Sequence, residues 1–127
     1  LPAFRAVAGE LRLAYTQFEE LEVFARFGTR MDAETRKRLE RGARVREVLK
    51  QAQYKPMRVA EQIAVFVAVA DGVLDSVPVE SISRAEAQIR ETVIAELPEL
   101  CHRIESGEKL SDDDRRDIVR AAMTAVE

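Results

Sequence analysis

Apolar residues recur at steps of three and four along most of the chain, the spacing of one face of an α-helix. In the opening segment this stripe stops just before Gly28, a residue type that commonly follows the last turn of a helix. The sequence therefore predicts a long first helix whose apolar stripe consists of Leu11, Tyr15, Phe18, Leu21 and Ala25.

A second helix is predicted to start at Asp32, whose carboxylate can accept a hydrogen bond from the first free N–H groups. Gly42 lies on its expected inner face, where glycine costs about 1 kcal/mol relative to alanine, so we expect another helix to pack closely there. Pro56 disfavours helical backbone at the residue before it. We therefore expect an extended connector from Gln51 to Lys55. The predicted inner face of the second helix, before this connector, consists of Met31, Thr35, Leu39, Gly42, Arg46 and Leu49.

The third element is predicted from Arg58 to Ala70 and contains the run IAVFVAVA, which is apolar on every side. Such a run fits a buried central helix, although periodicity alone leaves a buried strand open. Good helix formers flank the run, and the chain has no second strand candidate to pair with it. Both observations favour a helix.

Three further helices are predicted in the second half of the chain. After a connector at Gly72 in which Pro78 takes a first-turn position, the fourth helix carries an apolar stripe. Pro98 can start a short fifth helix that ends at Gly107. Ser111 and Asp114 have the spacing of a capping box for the last helix. The stripe of the fourth helix consists of Ile82, Ala85, Ile89, Val93 and Leu97. Taken together, the sequence predicts an all-α fold, a compact array of about six helices in a single domain over residues 1–127.

Charge is unevenly distributed along this chain of 127 residues and net charge -3. Basic residues dominate between Arg26 and Arg46, and acidic residues dominate between Asp71 and Asp114. The overall negative charge argues against a dedicated nucleic-acid binder. The basic segment could face an acidic partner, but its interspersed glutamates favour a solvated helix face.

No apolar run approaches the ~20 residues of a membrane span, so we expect no direct membrane insertion. No signal peptide is apparent. The chain begins at Leu1 without methionine. We expect it to be an excised fragment of a longer chain.

Catalytic and metal chemistry lack a recognisable pattern. His102 directly follows Cys101, and adjacent helical residues point about 100° apart, so the two side chains do not pair readily. The five glycines are too dispersed for a phosphate-binding loop. Asp112 to Asp114 lack the alternating ligand spacing of a calcium loop. We expect no catalytic residue, metal site or cofactor within this chain, and no enzyme activity.

Four stretches together resemble the C-terminal helical domain of the F-type ATP synthase alpha subunit: VAGELRLAYTQFEELEVFARFG, LERGARVREVLKQAQYKP, EQIAVFVAV and GVLD. The resemblance is specific from Val7 to Asp75 and continues as a pattern of helices. It implies an orthogonal or superhelical bundle with a non-catalytic structural and coupling role in a ring of three alpha and three beta subunits around the gamma shaft. It also implies ATP or ADP with magnesium at a non-catalytic site of the full subunit, whose phosphate loop lies upstream.

The same resemblance implies a function for Gln51 and Gln53. They match two family glutamines that approach the adenine ring of the nucleotide at the non-catalytic site. An amide offers both a donor and an acceptor and can match the edge of adenine. The alternative is that both amides bind turn backbone or water.

A partner-contact loop is implied as well, formed by Gly28, Thr29, Arg30, Met31 and Asp32. In the family this loop lies near the gamma shaft, with an acidic residue where Arg30 stands here. The reversed charge would weaken attraction to a basic rotor segment by on the order of 1 kcal/mol.

Departures from the family at Val67, Val73 and Ala85, where aromatic residues are common, indicate a divergent bacterial branch of alternate, including sodium-linked, F-type enzymes. The resemblance places the assembly at the cytoplasmic face of the bacterial inner membrane. Two other functions remain open: a free-standing helical protein-protein interaction module, and a nucleic-acid binder that uses Arg36 to Arg46, which the acidic remainder disfavours.

Overall fold

The computed structural model of the chain describes residues 2–26, 33–54 and 57–127, and the side chains at 24–26 and 52–54 lie outside that description. The described residues form helices and turns, with no strand among them. The predicted all-α fold is confirmed. The elements are α1 (Pro2–Arg26), α2 (Ala33–Tyr54), α3 (Val59–Ala70), a 3₁₀ turn (Val79–Ser81), α4 (Ile82–Glu96), α5 (Pro98–Glu105) and α6 (Asp112–Val126).

Helix α3 is the centre of the fold. Every residue from Ile63 to Val69 is buried, and the helix contacts α1, α2, α4, α5 and α6. A helix that is apolar on all sides must be covered on all sides, and five neighbouring helices provide that cover. The prediction of a central helix is confirmed and the strand alternative is wrong.

Helices α1 and α2 pack closely against one another where Gly42 faces Phe18. A Cβ atom added at Gly42 would lie 2.2 Å from Cδ1 of Phe18, whose side chain is buried together with that of Leu11. The expected close packing at Gly42 is confirmed. Two further buried residues, Ala3 and Val7, lie on the N-terminal turns of α1.

The inner face of α2 differs from the predicted one. Val45 and Val48 are buried, whereas Arg46 is exposed and its guanidinium lies 5.1 Å from the centre of the Phe18 ring. Val45 and Val48 belong to the hydrophobic core, so the buried face of α2 passes through Gly42, Val45 and Val48 instead of through Arg46. The contact with Phe18 shows that Arg46 covers the core from outside.

The predicted extended connector from Gln51 to Lys55 is wrong over its described part, because α2 continues through Tyr54. A proline restricts only the residue immediately before it. Pro56 therefore permits helical backbone at Gln51 and the next three residues. Residues 55 and 56 lie outside the described part of the chain.

The last three helices follow the predicted pattern. Pro98 takes the first turn of α5, and Gly107, with a φ of +103°, ends it. The Ser111 and Asp114 side chains bond each other's backbone N–H groups at 3.0 and 3.1 Å, which confirms the capping box. Pro78 differs in detail, since it directly precedes the 3₁₀ turn instead of starting a helix.

Within the described ranges, none of the helices combines the length and apolar character needed to cross a bilayer.

Candidate functional site

Gln51 lies in the last turn of α2 with a half-buried side chain. Its Nε2 donates a hydrogen bond to Oε1 of Glu47, one turn earlier, at 3.3 Å. This bond orients the amide along the helix surface. An amide has two N–H groups and a carbonyl oxygen, so one bond to Glu47 leaves capacity for a ligand.

Gln53 belongs to the same helical turn, and its side chain is outside the described part of the structure. In an extended segment positions 51 and 53 would lie on one side of the chain. On a helix they are about 200° apart around the axis. The helical exit of α2 therefore separates the two positions instead of aligning them.

The start of α3, just beyond this exit, is tied to α5. Arg58 Nε donates to Oε2 of Glu105 at 3.1 Å, and a second guanidinium N–H contacts Oε1 of the same carboxylate. The backbone N–H of Arg58 donates to Glu61 at 3.1 Å. The hydrogen bond from Arg58 lowers the pKa of the Glu105 carboxyl. These bonds fix the chain that follows the predicted nucleotide-contact residues.

The second predicted site, the loop of Gly28, Thr29, Arg30, Met31 and Asp32, lies outside the described residues, as do the predicted caps at Gly28 and Asp32. Helices α1 and α2, on either side of it, pack against one another. The helical hairpin that carries this loop is therefore described, and the loop itself remains a prediction.

Cys101 and His102 have different environments. Cys101 is buried and its Sγ donates to the carbonyl oxygen of Val93 at 3.9 Å, whereas His102 is exposed. Burial raises the pKa of the Cys101 thiol, which disfavours the nucleophilic thiolate. Over residues 2–26, 33–54 and 57–127, no three His, Cys, Asp or Glu side chains converge as metal ligands would.

A set of arginine contacts that no sequence pattern predicted holds the turn after α3. Arg41 of α2 donates to Asp75, with its Nη2 2.6 Å from Oδ2. Arg44 donates from Nε to the carbonyl oxygen of Val77 at 2.9 Å. Arg115 of α6 donates to Asp71 at 2.7 Å. These partners are far apart in sequence, so no local pattern could identify them.

Arg115 also donates to Glu10 of α1, at 2.8 Å. Hydrogen bonds to Asp71 and Glu10 raise the pKa of its guanidinium. One side chain thus joins α1, the end of α3 and α6. Beside it, a cavity of about 850 Å³ lies between α1 and α2, with Leu11, Phe18 and Val45 among its apolar lining residues.

Comparison with known proteins identifies a matching protein family and similar individual proteins. The family model described as "ATP synthase alpha/beta chain, C terminal domain" matches residues 1–125. ATP synthase subunit alpha 2 of Syntrophus aciditrophicus is 56% identical over 126 residues, covering 99% of this chain and 24% of that protein. ATP synthase subunit alpha 1 of Rhodopirellula baltica is 47% identical over 126 residues, covering 99% and 25%. The chain therefore spans about a quarter of the length of these relatives.

Proposed function

Since the chain belongs to the C-terminal domain family of the ATP synthase alpha and beta chains, and the relatives compared are alpha subunits, we propose that it is the non-catalytic structural and coupling domain of an ATP synthase alpha subunit. The match over residues 1–125 carries this proposal. In it, the domain belongs to a ring of alpha and beta subunits around a gamma shaft, and serves ATP synthesis or hydrolysis coupled to ion transport.

The packing supports a mechanical role. A central helix touching five others, and arginines that join elements distant in sequence, favour a unit whose helices keep their mutual packing when the domain is displaced. Such a unit can transmit displacement between neighbouring subunits without unfolding. The relatives' names number the alpha subunit 1 or 2, which supports the expected alternate F-type enzyme. The location proposed for the assembled enzyme is the cytoplasmic face of the bacterial inner membrane.

The coding sequence upstream of Leu1 tests this proposal directly. We expect one continuous reading frame with a Gly-x-x-x-x-Gly-Lys-[Ser/Thr] loop that binds nucleotide phosphates with magnesium. We also expect the full subunit, coexpressed with its beta and gamma subunits, to form a ring detectable by native mass spectrometry. A frame without the phosphate loop, or a full subunit that stays apart from beta, would favour a free-standing interaction module.

Within the full subunit, Gln51 and Gln53 are proposed to contact the adenine of the nucleotide at the non-catalytic site. The exit of α2 supports this for Gln51, because its amide is held by Glu47 at 3.3 Å and retains both a donor and an acceptor. The helical separation of the two positions implies unequal contributions, with one amide meeting the base edge more directly than the other.

Single and double alanine variants of Gln51 and Gln53 test the adenine contact in the full subunit. We expect the double variant to weaken nucleotide retention at the non-catalytic site, and the two single variants to differ. Gln88→Ala, on the exposed face of α4, is the matched control. Equilibrium dialysis with labelled ATP measures nucleotide retention. Unchanged retention in the double variant would show that neither amide contacts the nucleotide and that both bind only neighbouring backbone or water.

A further inference from the structure

Helix α2 is strongly basic in an acidic chain. It carries seven Lys or Arg and three Glu, whereas the whole chain has a net charge of -3. Some of these cations bond to neighbouring elements, as Arg41 does to Asp75 at 2.6 Å. Arg36 is exposed and makes no ion pair with another described residue. The helix therefore presents positive charge that the described fold does not neutralise.

A groove runs along this helix, with a volume of about 550 Å³. Its lining includes the apolar residues Leu39, Ala43 and Val79, which we call its floor, and Val79 is 40% exposed although apolar. Its rim carries Arg36 and Arg46, together with Arg44 and the two carboxylates of Glu22 and Glu40. We call this surface the α2 groove. An apolar floor beside charged lining residues with three arginines and two glutamates suits a partner that is apolar on one side and acidic on the other.

The rim arginines are positioned in advance. Arg44 donates to the carbonyl oxygens of Val77 and Glu40 at 2.9 and 2.7 Å. Arg46 lies over Phe18, with Glu22 3.6 Å from its Nη1. Guanidinium groups held by these bonds lose little freedom when a carboxylate binds their remaining N–H groups. Preorganisation of this kind is typical of a recognition surface.

From the floor, the rim and the charge of α2, we propose that the α2 groove docks an acidic amphipathic protein segment of a neighbouring subunit. This inference rests on the proposed function, because only an assembled subunit places another chain beside α2. A carboxylate of the segment would face Arg36, which makes no ion pair with another described residue, and the apolar side of the segment would cover Val79 and Leu39. A polyphosphate backbone fits less well, because it has no apolar side to cover that floor.

Photocross-linking in the assembled complex identifies the occupant. The full alpha subunit with p-benzoylphenylalanine in place of Val79 is coexpressed with its beta and gamma subunits and irradiated. We expect an adduct, located by peptide mass spectrometry, on a segment of another subunit that carries more Asp and Glu than Lys and Arg. Adducts confined to the alpha subunit, an adduct on a basic segment, or no adduct in an assembled complex would overturn the inference.

Charge reversal measures how much the positive charge beside the α2 groove contributes to subunit association. Arg36→Glu and Arg116→Glu change the net charge equally at exposed helical positions, and only Arg36 borders the groove. We expect Arg36→Glu to weaken subunit association at low ionic strength at least about fivefold relative to Arg116→Glu. Val79→Ser, compared with Met123→Ser on α6, tests the floor in the same assay, because Met123 is an exposed apolar residue outside the groove.

Failure of this inference is distinguishable from failure of the proposed function. If the wild-type full subunit forms no ring, the proposed function fails. If it forms a ring in which both groove variants associate like their controls, only the α2 groove inference fails. Far-UV circular dichroism of each variant subunit, and Arg36→Gln as a milder change, separate loss of docking from loss of folding.

Discussion

Gly42 and Gly9 are both helical glycines, yet their surroundings differ. A Cβ at Gly42 would lie 2.2 Å from Phe18, whereas a Cβ at Gly9 would meet nothing within 4 Å. Phe18 cannot easily retreat, because it is 4% exposed and its ring contacts both the Tyr15 ring and the Arg46 guanidinium. Substitution of each glycine by alanine therefore separates two effects: both substitutions raise helix propensity, and only the one at Gly42 creates a steric conflict.

We predict that Gly42→Ala lowers the free energy of unfolding by about 1–3 kcal/mol, since overpacking outweighs the gain in helix propensity. Gly9→Ala should raise it by about 0.5–1 kcal/mol, because only propensity changes. Urea titration followed by circular dichroism measures both. Equal effects of the two substitutions would show that α1 can move away from α2 at no cost.

Asp114 combines two functions at the start of α6. It caps the helix with Ser111 and accepts a hydrogen bond from Nη2 of Arg103 at 2.8 Å. The hydrogen bond from Arg103 is the main reason that the pKa of Asp114 is lowered. The folded protein therefore binds a proton at the Asp114 carboxyl more weakly than the unfolded chain does. As a result, the ionised carboxylate stabilises the fold at pH values above the pKa of aspartate in the unfolded chain, about 3.9.

We therefore predict that stability falls as pH drops below about 4, through the lowered pKa of Asp114. Asp114→Asn should be less stable than wild type at pH 7 and should lose less stability between pH 5 and pH 2. Asp113→Asn, at a position whose side chain is 86% exposed, should keep the wild-type pH dependence. Thermal unfolding at a series of pH values tests this, and parallel curves for wild type and Asp114→Asn would contradict it.

Arg115 joins three helical elements by two carboxylates, Asp71 at 2.7 Å and Glu10 at 2.8 Å. Its side chain is 27% exposed, so water screens these ion pairs less than it screens most pairs on the surface. Arg116, next to it in α6, pairs only with Asp113 among the described residues, at 3.5 Å, and is 67% exposed. Adjacent arginines on one helix thus have different structural importance.

We predict that Arg115→Met lowers the free energy of unfolding by about 1–2 kcal/mol, because two hydrogen-bonded carboxylates lose their partner. Arg116→Met should change it little. The effect of Arg115→Met should shrink in high salt, where the wild-type ion pairs are themselves weakened. Guanidinium is unsuitable for this measurement because it is a salt; urea with added NaCl serves, and equal losses in both variants would exclude a special role for Arg115.

The described residues form one hydrophobic core that includes residues of every α-helix. Helix α3 passes through it and packs against the five other helices. A cavity made in α3 should therefore weaken the entire domain at once, since no helix has a separate core on which to remain folded.

We predict that Ile63→Ala, at a fully buried position of α3, lowers the free energy of unfolding by about 2–5 kcal/mol. Tyrosine fluorescence and far-UV circular dichroism should still report a single shared transition. Leu13→Ala, at a position that is 61% exposed, is the control and should change little. Separate transitions for the two signals would show that the α1–α2 hairpin unfolds independently.

Sequence alone determined the helical class, the central position of α3 and the caps at Pro98, Gly107, Ser111 and Asp114. These features depend on periodicity and on contacts within a few residues, which a sequence shows directly. It also led to Gln51 and Gln53 through the family resemblance, but it placed them in an extended connector, whereas the described structure continues α2 to Tyr54.

Only the tertiary structure decided which side of α2 faces the core, where α2 ends and how the arginines pair. Val45 and Val48 belong to the core shared by all the helices, whereas Arg46 is exposed and lies against the Phe18 ring. The pairing of Arg115 with Glu10 joins residues 105 positions apart. Such contacts depend on how whole helices pack, and helix packing is a sum over many distant side chains that no local pattern contains.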